Sequence, residues 1–134
     1  MRALIPVTLL FLSGASFAAD YHLDPEKWCS STGDQLEFKC SPASEKYKIF
    51  IYQNGKKWIK KHVWENPRSE TKWELNVVKN NLEILILSEN VFFSGTRLLH
   101  IMKKTGKYYQ SEVAYASFGN EVSVTYGKAY LTSN

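Results

Sequence analysis

Most of the features that classify a small protein at sight are missing from this chain. Only two of its 134 residues are cysteine, which excludes a disulfide-dense mini-scaffold. The pair, Cys29 and Cys40, fits neither a Cys-x-x-Cys redox spacing nor a zinc-ligand spacing. No Gly-x-Ser-x-Gly, His-Glu-x-x-His or glycine-rich phosphate loop occurs, so no catalytic motif and no cofactor is implied. The histidines are His22, His62 and His100, and aspartate is confined to Asp20, Asp24 and Asp34. Beyond residue 18 no apolar run approaches the ~18 residues that a membrane-crossing helix needs. The net charge of +4 is too small for a nucleic-acid-binding surface. No Asn-x-Ser/Thr sequon is present.

Residues 1–18 have the form of an export signal. Met1-Arg2 is a cationic start, Ala3 to Leu12 is an apolar stretch, and Ser16-Phe17-Ala18 meets the small-x-small rule for cleavage. Cleavage after Ala18 leaves residues 19–134 as one domain and removes one positive charge with Arg2. With no sequon, a periplasmic or secreted bacterial protein is the expected setting. In an oxidising compartment a lone cysteine pair is one disulfide, Cys29–Cys40, and closing so short a loop contributes roughly 3 kcal/mol in the chain-entropy model.

The mature start reads as a short helix, because Asp24-Pro25-Glu26 offers an N-cap, a proline at the first helical position and an early acid. From residue 35 the hydrophobic period is two. Leu36, Phe38 and Cys40 alternate, Tyr47 to Tyr52 forms a strand, and Asn54-Gly55 suits a two-residue hairpin loop that sets Ile51 against Trp58. Lys57 to Trp64 returns, and Trp73, Leu75 and Val77 alternate in the next strand. Leu82 to Leu87 is apolar on both faces. Arg97 to Met102 and Lys107 to Tyr115 flank a Lys103–Gly106 turn with glycine in the left-handed position, and Gly127 suggests a bulge after Glu121 to Tyr126. About eight strands on tight turns imply an all-β, antiparallel up-and-down meander, closed into a small barrel or left as a curved sheet. Segments nearer six residues are short for the ~9–11 of a membrane-spanning strand.

The stretch Leu98 to Tyr109, with its Lys103-Lys104-Thr105-Gly106 turn and aromatic return strand, and Gly127-Lys128 near the end, resembles the closing hairpins of small exported bacterial β-proteins. The strand count is similar to that of lipocalin-like barrels. The resemblance implies a β-meander fold and carries no functional residue with it.

The candidate chemistry is therefore that of binding. Lys56 to Trp64 concentrates four lysines, a histidine and two tryptophans. As a strand it places Trp58, Lys60, His62 and Trp64 on one face, and Lys57, Ile59, Lys61 and Val63 on the other. Indole rings stack on sugars and ammonium groups attract phosphate or carboxylate, so Lys57, Trp58, Lys60, Lys61, His62 and Trp64 are the candidate binding residues. Lysines that guard an edge strand and tryptophans that fill a core give the same composition. Phe92 and Phe93 form a second candidate, an apolar loop suited either to a partner or to plugging a barrel end. Inward tyrosines among Tyr108, Tyr109, Tyr115, Tyr126 and Tyr130 would line a ligand pocket. His100 with Glu112 is the best acid–base pair for a hydrolase assembled in space, and His62 with Glu65 the nearest approach to a metal pair. The leading expectation is an exported, non-catalytic binding protein for a protein or an envelope glycan or lipid, with inhibitor- or immunity-type roles in that class. The alternatives are a barrel carrier of a small hydrophobic ligand and a hydrolase.

Overall fold

Alternation of apolar and polar residues, interrupted by short turns, closes this chain into an antiparallel β-barrel. The computed structural model describes residues 20–32, 37–43, 47–91, 95–116 and 119–132. Its strands are β1 (Asp20–Thr32), β2 (Lys39–Pro42), β3 (Tyr47–Asn54), β4 (Lys57–Glu65), β5 (Arg68–Asn80), β6 (Ile84–Val91), β7 (Gly95–Met102), β8 (Lys107–Ala116) and β9 (Gly119–Thr132). Consecutive strands from β3 to β9 pair as neighbours, β1 pairs β3, and β1 with β9 closes the eight-stranded barrel from Asp20↔Thr132 to Thr32↔Glu121. Short β2 lies on β1 through Lys27↔Pro42 to Ser30↔Lys39, and the Cys29–Cys40 disulfide joins a directly opposed pair. The leader expected over residues 1–18 lies outside the described residues, as do Leu36, Phe92 and Phe93.

Several expectations are corrected. No helix forms at Asp24-Pro25-Glu26; that segment is the middle of β1, with a register shift between Pro25 and Lys27. Proline has no N–H to give a ladder, so the irregularity falls where it does least harm. The bulge expected at Gly127 is on the partner strand instead, and Gly127 is the residue that lets the two backbones approach. A Cβ at Gly127 would stand 2.0 Å from Asp24 O and 2.7 Å from Tyr108 Cε1. In the first hairpin Asn54 pairs Lys57, so the loop is Gly55-Lys56 with Gly55 at φ 62°, and Ile51 faces Lys60 rather than Trp58. The shift is two residues, so the inward face is unchanged. The Lys103–Gly106 turn forms as expected, with Gly106 at φ 63°.

The barrel strands run from 8 to 14 residues, longer than the pattern suggested, because tight pairing continues into segments that read as polar loops. Length alone therefore does not separate this barrel from a membrane-spanning one. The outer wall of β4 and β5 carries Lys57, Lys61, Lys72 and Glu74 and that of β6 and β7 carries Ile84, Ile86 and Leu98, while the interior holds Leu23, Ile51, Leu85, Leu87 and Ile101, each at 0–1% exposure. Among the described residues no helix is long and apolar enough to cross a membrane.

The core occupies one half of the barrel. Leu23, Ile49, Ile51, Trp58, Leu75, Leu85, Leu87, Leu99 and Ile101 fill the end that holds Asp20, Thr132 and the Gly55 and Gly106 turns. Ile84 and Ile86, the other face of the doubly apolar β6, are half-buried on the outer wall. The opposite end of the interior is polar.

Candidate polar mouth of the barrel

Moving along each strand from the filled end, the inward positions change from aliphatic to charged and aromatic. On β4, Trp58 (5% exposed) is followed inward by Lys60 (2% exposed), His62 and Trp64. On β6 Leu85 and Leu87 are followed by Glu89, at 4% exposure. On β7 Leu99 and Ile101 share their face with Arg97, and on β8 Tyr108 shares its face with Gln110 and Glu112. Alternation does the work: each charge stands an even number of residues from a buried hydrophobe, so closure of the barrel carries it inside.

These groups pair with one another. Lys60 Nζ donates to Glu89 Oε2 and, at 3.5 Å, to Gln110 Oε1. Arg97 Nη1 donates to Glu89 Oε1 at 3.2 Å. Arg97 Nε lies 2.7 Å from Glu112 Oε2, an ion pair whose N–H points off the oxygen. Two cations and two anions therefore close a neutral quartet. Burial pushes the Lys60 pKa down, and the Glu89 carboxylate opposes that shift. Burial also works against the Arg97 charge, but Glu112 and Glu89 outweigh it and hold its pKa above the ordinary value.

Aromatic rings line the same end. Tyr47 stacks on His62 at 4.8 Å and leans on Trp64 at 4.6 Å, and Trp73 meets His62 edge-on at 4.7 Å. Lys60 Nζ sits 5.2 Å from the Trp73 ring centroid. Burial, then the nearby Lys60 and Arg97 charges, lower the His62 pKa to about 4, so His62 is neutral at neutral pH and stacks as a flat apolar ring. All four rings are half-buried. Tyr47 also borders a cleft of about 370 Å³ against the β9–β1–β2 wall, with Trp28, Thr125, Ser41, Pro25 and Pro42. Trp28 is 40% exposed there. Among the described residues the cleft has no charged side chain in its lining.

The candidate binding residues of the basic–aromatic strand are thus divided by the barrel wall. Trp58 belongs to the core, Lys60 to the buried quartet, and His62 and Trp64 to the aromatic mouth. Lys57 and Lys61 stand outside, Lys57 paired to Glu74 at 2.8 Å and Lys61 over the rings of Phe50 and Tyr52. His100 stacks on Tyr109 at 4.3 Å on the outer wall while Glu112 points inward, so the pair considered for acid–base chemistry is not brought together. Likewise Glu65 points outward to Lys48 at 2.6 Å, away from His62. Among the tyrosines expected to line a pocket, Tyr108 is inward and sealed in the core, and Tyr126 and Tyr130 are exposed outside. Sequence reasoning missed Trp28, Tyr47, Trp73, Glu89 and Arg97. For Tyr47, Trp73, Glu89 and Arg97 the available signal was their common parity with buried aliphatic residues; Trp28 is turned inward by the register shift between Pro25 and Lys27, which breaks that parity.

No family model, curated protein or solved structure matches the chain.

Proposed function

We propose that this chain is an exported, non-catalytic binding protein that recognises a protein or cell-envelope component with the polar mouth of its barrel. The observation that carries the reading is the cluster of half-buried rings, Tyr47, His62, Trp64 and Trp73, continuous through Tyr47 with the neutral cleft beside Trp28. Among the described residues such a surface offers π faces, hydroxyl groups and no unpaired charge. It suits a neutral ring or a short polar segment of a partner. The quartet below it satisfies its own charges, so it serves as a rigid polar floor that an incoming group need not neutralise. The leader and the disulfide support an oxidising, exported setting. An inhibitor- or immunity-type role is the form the reading takes when the partner is a protein.

The carrier reading is weaker, because side chains already fill the apolar half and the remaining half is polar. The hydrolase reading has lost its best pair. The test is fluorine NMR of the mature protein labelled with 5-fluorotryptophan, titrated with a soluble peptidoglycan disaccharide and, separately, with candidate envelope proteins. The expected result is that Trp28, Trp64 and Trp73 shift together while Trp58 stays fixed. Binding that leaves all three mouth tryptophans unmoved would overturn the reading.

A further inference from the structure

The filled end of the barrel carries a second surface, on the side away from the mouth. Three turns project there: Gly55-Lys56 between β3 and β4, residues 81–83 between β5 and β6, and residues 103–106 between β7 and β8, beside the strand ends Asp20 and Thr132. The β5–β6 turn holds Leu82 at its tip, 90% exposed. Local chemistry fixes it there. Asn81 Oδ1 accepts from the N–H groups of Glu83 and Ile84, both at 2.9 Å, and so closes the turn beneath Leu82. The neighbouring turn braces it: Lys103 N donates to Glu83 O at 2.8 Å, and Lys103 Nζ donates to Asn80 Oδ1 and Asn81 O, each at 2.6 Å. The leucine is thus held in water instead of folding back onto the core, and forgoes the gain of burial.

The charge around that tip is one-sided. Lys56, Lys57, Lys79, Lys103, Lys104 and Lys107 stand at this end against the acids Asp20, Glu74 and Glu83. Glu74 holds Lys57 and Glu83 holds Lys104, each at 2.8 Å. Among the described residues Lys56, Lys79, Lys103 and Lys107 make no ion pair, and both acceptors of Lys103 are neutral. A cleft of about 360 Å³ lies between the Lys103–Gly106 turn and the end of β9. Tyr21, Ile101 and Leu131 are in its lining, and among the described residues no acid is.

We infer that the filled end docks on an anionic lipid surface, with Leu82 and Leu131 entering the boundary between headgroups and acyl chains and the unpaired lysines facing lipid phosphates. Charge complementarity selects the surface, since each lysine near an anionic leaflet adds to binding. The apolar points select lipid over a protein partner. Leu82 and Leu131, both exposed, flank the Lys103–Gly106 turn, so apolar side chains alternate with ammonium groups. Protein interface cores are depleted in lysine. A bilayer takes apolar tips and lysines side by side, the ammonium heads staying at the phosphate level. Docked this way, the barrel stands with its mouth turned to the water.

The test is sedimentation of the mature protein with vesicles of equal parts phosphatidylglycerol and phosphatidylcholine, and with vesicles of phosphatidylcholine alone. Binding to the anionic vesicles is expected to exceed binding to the neutral ones by about tenfold or more, and to fall as salt is raised. Leu82→Ser is expected to weaken it about tenfold, and Lys79→Gln with Lys107→Gln to do so by about tenfold, with thermal unfolding unaltered in each. Amide NMR of the parent with a trace of headgroup-spin-labelled lipid in the anionic vesicles is expected to broaden Lys79, Leu82, Gly106 and Leu131 and to spare Trp64 and Trp73. Equal binding to both vesicles, or to neither, overturns the inference, as does Leu82→Ser binding like the parent. Broadening centred on Trp28 and Trp64 would assign the contact to the mouth, and broadening centred on Leu98 and Val124 would assign it to the outer wall; either overturns it. So do filled-end amides that ignore lipid and shift with protein concentration, which would make this end a contact between copies.

Discussion

Replacing Lys60 by methionine tests the buried quartet most sharply. The Lys60 and Glu89 side chains are 3% and 4% exposed, so neither is rescued by water. Removing one partner of such a pair costs about 3–5 kcal/mol, since the other charge stays buried. The two halves differ in what they leave behind. Lys60→Met leaves Glu89 with Arg97 at 3.2 Å, which places the cost near the lower end, about 3 kcal/mol. Glu89→Leu leaves Lys60 with Gln110 at 3.5 Å and the Trp73 ring at 5.2 Å but no directly bonded carboxylate, and costs about 5 kcal/mol at neutral pH. Its pKa is already lowered by burial, so Lys60 in that variant sheds its proton more readily. The unfolded chain then binds more protons than the folded one above the folded-state pKa, and stability recovers as pH rises. The double variant, Lys60→Met with Glu89→Leu, is expected to be less destabilised than either single change, giving a coupling of about 5 kcal/mol or more. Urea unfolding with linear extrapolation measures all three, with unchanged slopes as the check on two-state behaviour. Single variants within about 0.5 kcal/mol of the parent, or a double variant equal to the sum of its parts, would refute the buried pairing.

The remaining predictions concern the mouth and the closure of the barrel. Because the His62 pKa is lowered to about 4 from 6.5, the unfolded chain takes up a proton first as pH falls between those values. Stability therefore drops across that window, by about 2 kcal/mol once screening of this partly exposed ring is allowed for; His62→Gln flattens that portion of a stability-against-pH curve, and an unchanged curve contradicts the placement of His62. Gly127→Ala forces a Cβ to within 2.0 Å of Asp24 O and is expected to cost about 3 kcal/mol, read as a lowered denaturation midpoint. Cys29→Ser with Cys40→Ser is expected to raise hydrogen exchange across Lys39–Pro42 while the β1–β9 amides stay protected, since β2 is exposed along its length and pairs only with β1. Equal loss of protection in β1 and β9 would show that the disulfide holds the barrel itself.

How much of this was legible in the residues depends on how local each signal is. The Gly106 turn and the strand positions of β3, β4, β7 and β8 follow from period-two alternation and turn chemistry, both of which act within a few residues. The sorting of β4 into a Trp58–Lys60–His62–Trp64 face and a Lys57–Lys61 face was equally plain. Which face turns inward was not, because that depends on closure between β1 and β9, the most distant strands in the chain. Asp24-Pro25-Glu26 carries good helix-start chemistry, yet pairing with β9 along the whole of β1 overrides a local preference worth about 1 kcal/mol. Glu89, Arg97 and Glu112 lie on three different strands, and no short window of sequence joins any of them to Lys60. Only the three-dimensional pairing of β6, β7 and β8 brings them onto Lys60.

Lysine labelling tests most directly how the wall divides adjacent residues. Mild acetylation of the folded mature protein, followed residue by residue by mass spectrometry, is expected to modify Lys57 and Lys61 at ordinary rates. Lys60, between them in sequence but sealed against Glu89, is expected to react about a hundredfold more slowly until the chain is unfolded. Comparable acetylation of all three in the native state would mean that the strand does not turn its tryptophan face inward, and the mouth would not stand as described.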